Sequence, residues 1–179
     1  MSHPRPAEPC LFFCGFIYNE NAVFEDLLHS RTEIWGQILD ISESYAFNWS
    51  DYYEAEQGSG LKRSFACFSP LLKDPSELKE RKLKALQLEE AFSRDGKRRV
   101  NLDPGYLNGH QLIVATFKPF AHRIALGGGV YAHLEYLFKH GGPATLPWTY
   151  PDFRTPEYQK LFQRWRELYK KMKEEAKLR

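Results

Sequence analysis

The sequence predicts an α+β fold: a ferredoxin-like (split βαβ) antiparallel sheet with two backing helices, plus an extra β-hairpin strand and a C-terminal helix. Short apolar or alternating runs mark strands. Stripes of helical period, each opened by a start signal, mark helices. The order reads β-α-β-β-α-β-β-α, and its first six elements match the split βαβ pattern.

Residues 1–9 hold three prolines and no apolar segment. They read as a flexible arm, not a signal peptide, ahead of one domain at 10–179. Leu11-Phe12-Phe13-Cys14-Gly15-Phe16-Ile17-Tyr18 is a continuous apolar run, expected to be a strand buried on both faces. Asn19 or Asn21 is placed to cap the next helix, whose stripe is Phe24, Leu27, Leu28, Ile34 and Trp35. A strand is expected around 38–47, a polar loop over 51–60 and an alternating strand over 61–68.

In Asp74-Pro75-Ser76-Glu77, Asp74 accepts from free backbone N–H groups, Pro75 takes the first helical position and Glu77 completes a capping box. Asp95-Gly96 ends that helix. Asp103-Pro104-Gly105 reads as a turn, and 111–117 as a strand. Gly127-Gly128-Gly129 separates the two arms of a hairpin. The four prolines over 143–156 imply an irregular, extended segment. Thr155 and Pro156 open the last helix. Its stripe is Tyr158, Leu161, Phe162, Trp165, Leu168, Tyr169 and Met172.

Bulk properties exclude more than they select. A net charge of +2 and a pI near 8.4 are too weak to argue for nucleic acid by themselves. The three cysteines, Cys10, Cys14 and Cys67, lack Cys-x-x-Cys spacing, so reduced thiols and a cytoplasmic location are expected. On a strand, Cys10 and Cys14 would share a face. No run approaches the ~20 apolar residues of a membrane span.

Several segments occur together in order. They are Asp51-Tyr52-Tyr53-Glu54 with Gly58-x-Gly60-Leu61-x-Arg63; Val100-Asn101-Leu102-Asp103-Pro104-Gly105-Tyr106-Leu107; Lys118-x-x-x-His122-Arg123-Ile124; Gly129-Val130-Tyr131-Ala132; and Trp148-Thr149-Tyr150-Pro151-Asp152-Phe153. The set resembles the uncharacterised prokaryotic family called domain of unknown function 4416, from about Leu11 to Tyr169. Gln57 stands where that family suggests Met, and His133 where it suggests an acid. The resemblance implies little about activity, although some members are labelled GTP-binding protein. That label finds no P-loop here. Neither Gly58-Ser59-Gly60 nor Gly127-Gly128-Gly129 is followed by the lysine and hydroxyl a phosphate cradle needs.

Residues in or beside the shared segments carry the candidate chemistry. Arg63, Lys118 and Arg123 suit phosphate or carboxylate. The acids Asp51, Glu54, Asp103 and Asp152 make Mg²⁺ a candidate cofactor, with Glu54 and Asp103 alternatively acting as acid and base. Tyr52, Tyr53, Tyr106 and Trp148 would stack on a base or sugar, with Asn101 beside them. His122, with a pKa near neutrality, is a candidate general acid or base. His133-Leu134-Glu135 echoes half of a deaminase zinc site, but the Pro-Cys-x-x-Cys half is missing, so no metal ligand is assigned. The expected function is a binding or enzymatic site for a small anionic, phosphorylated ligand, with a nucleotide as one candidate. A non-catalytic module for RNA or a protein partner is the alternative. Equally, the same charges would serve as salt bridges tying loops to the sheet.

Overall fold

A computed structural model describes residues 3–30, 35–49, 53 and 57–177. Asp51, Tyr52, Glu54 and the Ile34 of the first helical stripe lie outside the described residues. In chain order the elements are β1 (Cys10–Tyr18), α1 (Asn21–Ser30), β2 (Gln37–Ile41), β3 (Tyr45–Ala46), β4 (Lys62–Leu72), α2 (Leu78–Ala91), β5 (Val100–Leu107), β6 (Gln111–Thr116), β7 (Ile124–Gly127), β8 (Val130–Lys139), β9 (Gly142–Thr145) and α3 (Pro156–Lys177).

The strands form one sheet in the order β2-β4-β1-β5-β6-β8-β7, with β3 beside β4 and β9 beside β8. Every pairing is antiparallel. The α+β class and the antiparallel sheet are as expected. The sheet is larger, with nine strands among the described residues, because two segments read as irregular are strands and the single strand expected around 38–47 is two, β2 and β3, which pair with different stretches of β4.

One of these is Asp103-Pro104-Gly105, expected as a turn and found inside β5. Proline in a central strand normally removes a ladder hydrogen bond. Here β5 pairs with β1 along its length but with β6 only at Gly105↔Val114, Tyr106↔Ile113 and Leu107↔Leu112. Pro104 has the parity of Leu102, whose N–H and C=O face away from β1. Its missing N–H therefore lies on the β6 side, where the pairing of β5 with β6 ends at Gly105↔Val114. The other corrected segment is 142–145, which forms β9 against the end of β8.

β1 is buried at all nine positions, as its unbroken apolar run requires. Its even residues pack under α1 and α2: Phe12 stacks on Trp35 at 5.6 Å, and Cys10, Cys14 and Phe16 join Leu27, Leu78, Ala85 and Leu88. Its odd residues face α3, where Phe13 meets Phe162 at 5.2 Å and Trp165 at 6.1 Å. The sheet is thus covered on both faces, with α3 forming a layer of its own. All three cysteines are free and buried, and burial pushes the Cys10 and Cys67 thiols up to about 12.

Local signals hold where chemistry forces them. The Asp74 carboxylate accepts from Ser76 N–H at 2.9 Å ahead of α2, while Glu77 pairs with Arg81 instead of closing a box. Gly127, Gly128 and Gly129 all have positive φ, the conformation the β7–β8 hairpin demands. At the N-terminus, Glu8 accepts from the Tyr169 hydroxyl of α3 at 2.9 Å and pairs with Lys173, which ties the end of the arm to the last helix. Among the described residues, no helix is long and apolar enough to cross a membrane.

Candidate functional site

The divergence of β5 from β6 opens a wedge in the middle of the sheet, and residues of α2 fill its base. The Leu102 N–H donates to Glu89 Oε1 at 2.7 Å, and the Leu102 carbonyl accepts from Lys82 Nζ at 2.7 Å. Two charged side chains replace the backbone partners that a continuing β6 would have supplied. That explains why Lys82 and Glu89 are buried, at 5% and 3% exposure.

The opposite wall comes from β4. Arg63 pairs with Ile17 across the β1–β4 ladder, and Gly15 sits opposite Asp103 across the β1–β5 ladder. The Arg63 guanidinium crosses β1 above Gly15 to reach Asp103 Oδ2 at 3.0 Å. A Cβ at Gly15 would stand 2.8 Å from an Arg63 terminal nitrogen, so the glycine is what permits the crossing. Lys82 approaches Asp103 Oδ1 at 3.6 Å from the other side. Arg63 also lies 4.9 Å from the Phe65 ring centre, and its buried Nε has no hydrogen-bond partner.

Above this ion cluster lies a cleft of about 380 Å³. Its walls are aromatic: Phe47, Trp49, Tyr53, Phe117, Tyr150 and Phe153. Among the described residues, four cations line it (Arg63, Lys82, Arg98, Lys118), against three carboxyl groups (Glu89, Asp103, Asp152). Burial would raise the Asp103 carboxyl, but Arg63 and Lys82 outweigh it and hold it below the usual carboxylate range. Burial likewise works against the Arg63 charge, and Asp103 and Asp152 overcome it. Burial pushes Glu89 and Asp152 up despite Lys82 and Arg63 respectively. Among the described residues, the four cations outnumber the three carboxyl groups, so their balance is cationic.

Asp152 gives a direct test of this environment. Its raised folded pKa means that, between 3.8 and that value, the folded state binds more protons than the unfolded chain. Stability therefore falls as pH rises through the window. Asp152→Asn removes the cost. It is expected to stabilise the protein by about 0.5–2 kcal/mol at pH 7, with the gain shrinking as pH falls toward 4. Thermal melts at several pH values read the difference. A variant less stable than wild type at pH 7 would mean that the attraction to Arg63 exceeds the desolvation cost.

Of the residues expected from sequence, Tyr53, Arg63, Asn101, Asp103, Lys118 and Asp152 converge on this cleft. Tyr106, Trp148, His122 and Arg123 do not line it. Tyr106 has the opposite parity to Asp103 and packs into the core beneath the helices. Sequence reasoning missed Lys82, Glu89 and Arg98. The available signal was spacing: Lys82 and Glu89 recur on the face of α2 that carries Leu78 and Ala85, where charge is out of place.

The sequence matches the family model "Domain of unknown function (DUF4416)" over residues 8–169. The chain belongs to this family. The matched span begins at Glu8 and ends at Tyr169, the two residues whose side chains meet at 2.9 Å, so in this DUF4416 protein it takes in the whole sheet. No curated protein matches the chain, and no solved structure does.

The remaining expected residues of the DUF4416 chain form a second cluster, behind the Tyr150 wall of the cleft. Arg123 donates from Nε to His133 Nδ1 at 3.0 Å, and from its two terminal nitrogens to the Lys118 carbonyl and the Tyr150 hydroxyl, each at 2.7 Å. Its fork is thus engaged within the protein. Because guanidinium only donates, His133 Nδ1 is the unprotonated nitrogen, and Nε2 stands 3.0 Å from Glu135 Oε1. Burial and Arg123 bring His133 down to about 4. His122 lies against this group, its Nε2 3.1 Å from His133 Nδ1 and its ring stacked on Trp148 at 4.8 Å. Together these residues brace Tyr150, which stacks on His133 at 4.5 Å. Among the described residues, no three His, Cys, Asp or Glu side chains are grouped to hold a metal ion.

Proposed function

We propose that the cleft between β5 and β6 binds a small anionic, phosphorylated ligand, with a nucleotide as the class that suits it best. The observation behind this reading is the Arg63 guanidinium, held over Gly15 in a cationic cavity, with one buried donor unpartnered. The cavity volume falls within the range of small-molecule sites, and its aromatic walls suit a planar base. Asp103, a candidate acid or base from sequence, is ionised and engaged by Arg63 and Lys82. Its role in this reading is to orient cations. The strand order β2-β4-β1-β5 with α1 and α2 on one face supports reading that half of the sheet as the expected ferredoxin-like unit, extended by further strands.

Thermal shift and titration calorimetry against nucleotides and sugar phosphates, with and without Mg²⁺, test the proposal. A ligand at one hundred times its dissociation constant adds about 2.7 kcal/mol to stability, about 5–10 °C for a chain of this size. Lys118→Ala, at an exposed rim position, is expected to weaken binding about tenfold, the value of one charge-assisted contact, with little change in the unliganded melt. A folded protein that shifts with none of these ligands sinks the reading. The alternative, an RNA or protein partner, draws on the exposed Phe120, Ile124 and Trp148 beside the β7 edge. Salt-sensitive shifts with RNA oligomers alone would favour it.

A further inference from the structure

A second cleft, of about 280 Å³, adjoins the first. Asn19, Glu20, Gln57, Arg94, Asp95, Lys97, Arg98 and Arg99 line it, and Arg98 lines both. Four of these residues are cations and two are acids. Arg94 and Lys97 join through paired backbone hydrogen bonds of 2.9 Å, which fold residues 94–99 into a tight basic loop between α2 and β5.

The wall opposite this loop holds Gln57. Its side chain is only 8% exposed, yet neither its amide nitrogen nor its oxygen has a hydrogen-bond partner. Burying an amide unpaired is unfavourable, and a ligand supplying both a donor and an acceptor would recover that cost. Its backbone is held in place, because the Asn19 side-chain amide donates to the Gln57 carbonyl at 2.9 Å and to the Ser59 carbonyl at 3.1 Å. Around it, Arg99 is bound to Glu20 at 2.6 Å and Arg98 lies 3.6 Å from Glu89. The exposed Arg94 and Lys97 add charge at the mouth.

We infer that the two clefts are one extended site, and that its ligand carries a ring system and a chain of two or more phosphoryl groups. The ring and first anionic group occupy the aromatic cleft over Arg63. The chain passes Arg98 and ends on the basic loop, with Gln57 contacting the terminal group. This inference rests on the proposed ligand site and narrows its substrate class from phosphorylated molecules in general to polyphosphates.

The test compares adenosine and guanosine mono-, di- and triphosphates by calorimetry at fixed ionic strength. Affinity is expected to rise at least tenfold from mono- to triphosphate for the base that binds. Arg94→Glu with Lys97→Glu, both at exposed positions, is expected to bring the triphosphate back to the affinity of the monophosphate. Gln57→Leu, which keeps the buried volume but not the amide, is expected to lose part of the gain. Equal affinity for mono- and triphosphate in the wild type overturns the inference and leaves the first cleft standing. A gain from added phosphates that survives the double charge reversal also overturns it. No binding of any member of either series overturns both readings.

Discussion

Arg63→Met is expected to lower stability by about 3–5 kcal/mol, and to abolish binding of an anion in the cleft. The reason is the charge left behind. Arg63 is 4% exposed and supplies Asp103 with its closest cation at 3.0 Å, whereas Lys82 stands at 3.6 Å and also serves the Leu102 carbonyl. Without the guanidinium, a carboxylate remains in a poorly hydrated wedge with half its compensation. For a chain of this size the loss corresponds to roughly 6–20 °C in melting temperature. A second variant separates the charge effect from lost packing. Arg63→Met combined with Asp103→Asn removes the stranded charge, so the double variant is expected to be more stable than Arg63→Met alone. Urea unfolding of the two singles and the double completes the cycle. If the double equals the sum of the singles, the pair is not coupled, and the account of a cation held over Gly15 by Asp103 fails.

Phe162→Ala is expected to cost a comparable ~3–5 kcal/mol by opening a cavity in the layer between α3 and the sheet. Phe162 is fully buried. Its ring lies 5.2 Å from those of Phe13 and Phe65, 5.5 Å from those of Phe153 and Trp165, and 5.9 Å from that of Tyr136. It therefore joins β1, β4 and β8 to the last helix. A loss below about 1 kcal/mol would mean that α3 is an appendage and not a covering layer. The effect should extend to the cleft, because Phe153 stacks on Phe162 at 10° and also lines the ligand space. A ligand that stabilises wild type is expected to stabilise this variant less.

The sequence by itself determined the elements whose signal is local. The unbroken run of β1 required burial on both faces. Asp74 ahead of Pro75 set the 3-10 turn Pro75–Glu77 that leads into α2, three consecutive glycines set the β7–β8 turn, and the apolar stripe from Tyr158 to Met172 set the buried face of α3. The segments shared with the family put a tyrosine, an asparagine, two cations and two acids that meet in the cleft among the candidates. Only the tertiary structure decided which candidates meet. Asp103-Pro104-Gly105 has the composition of a turn. It is a strand because it pairs with β1 along its length, and β6 leaves β5 beside it. That departure also gives Lys82 and Glu89 their buried roles, and parity along β5 sends Tyr106 to the face opposite Asp103. Arg123, as cationic as Arg63 in sequence, has its donors taken by His133, Lys118 and Tyr150. Periodicity assigns a side chain to a face of its own element. Strand register and divergence, set by pairings between distant segments, assign it a neighbour, and the neighbour determines whether a charge is a salt bridge or a site.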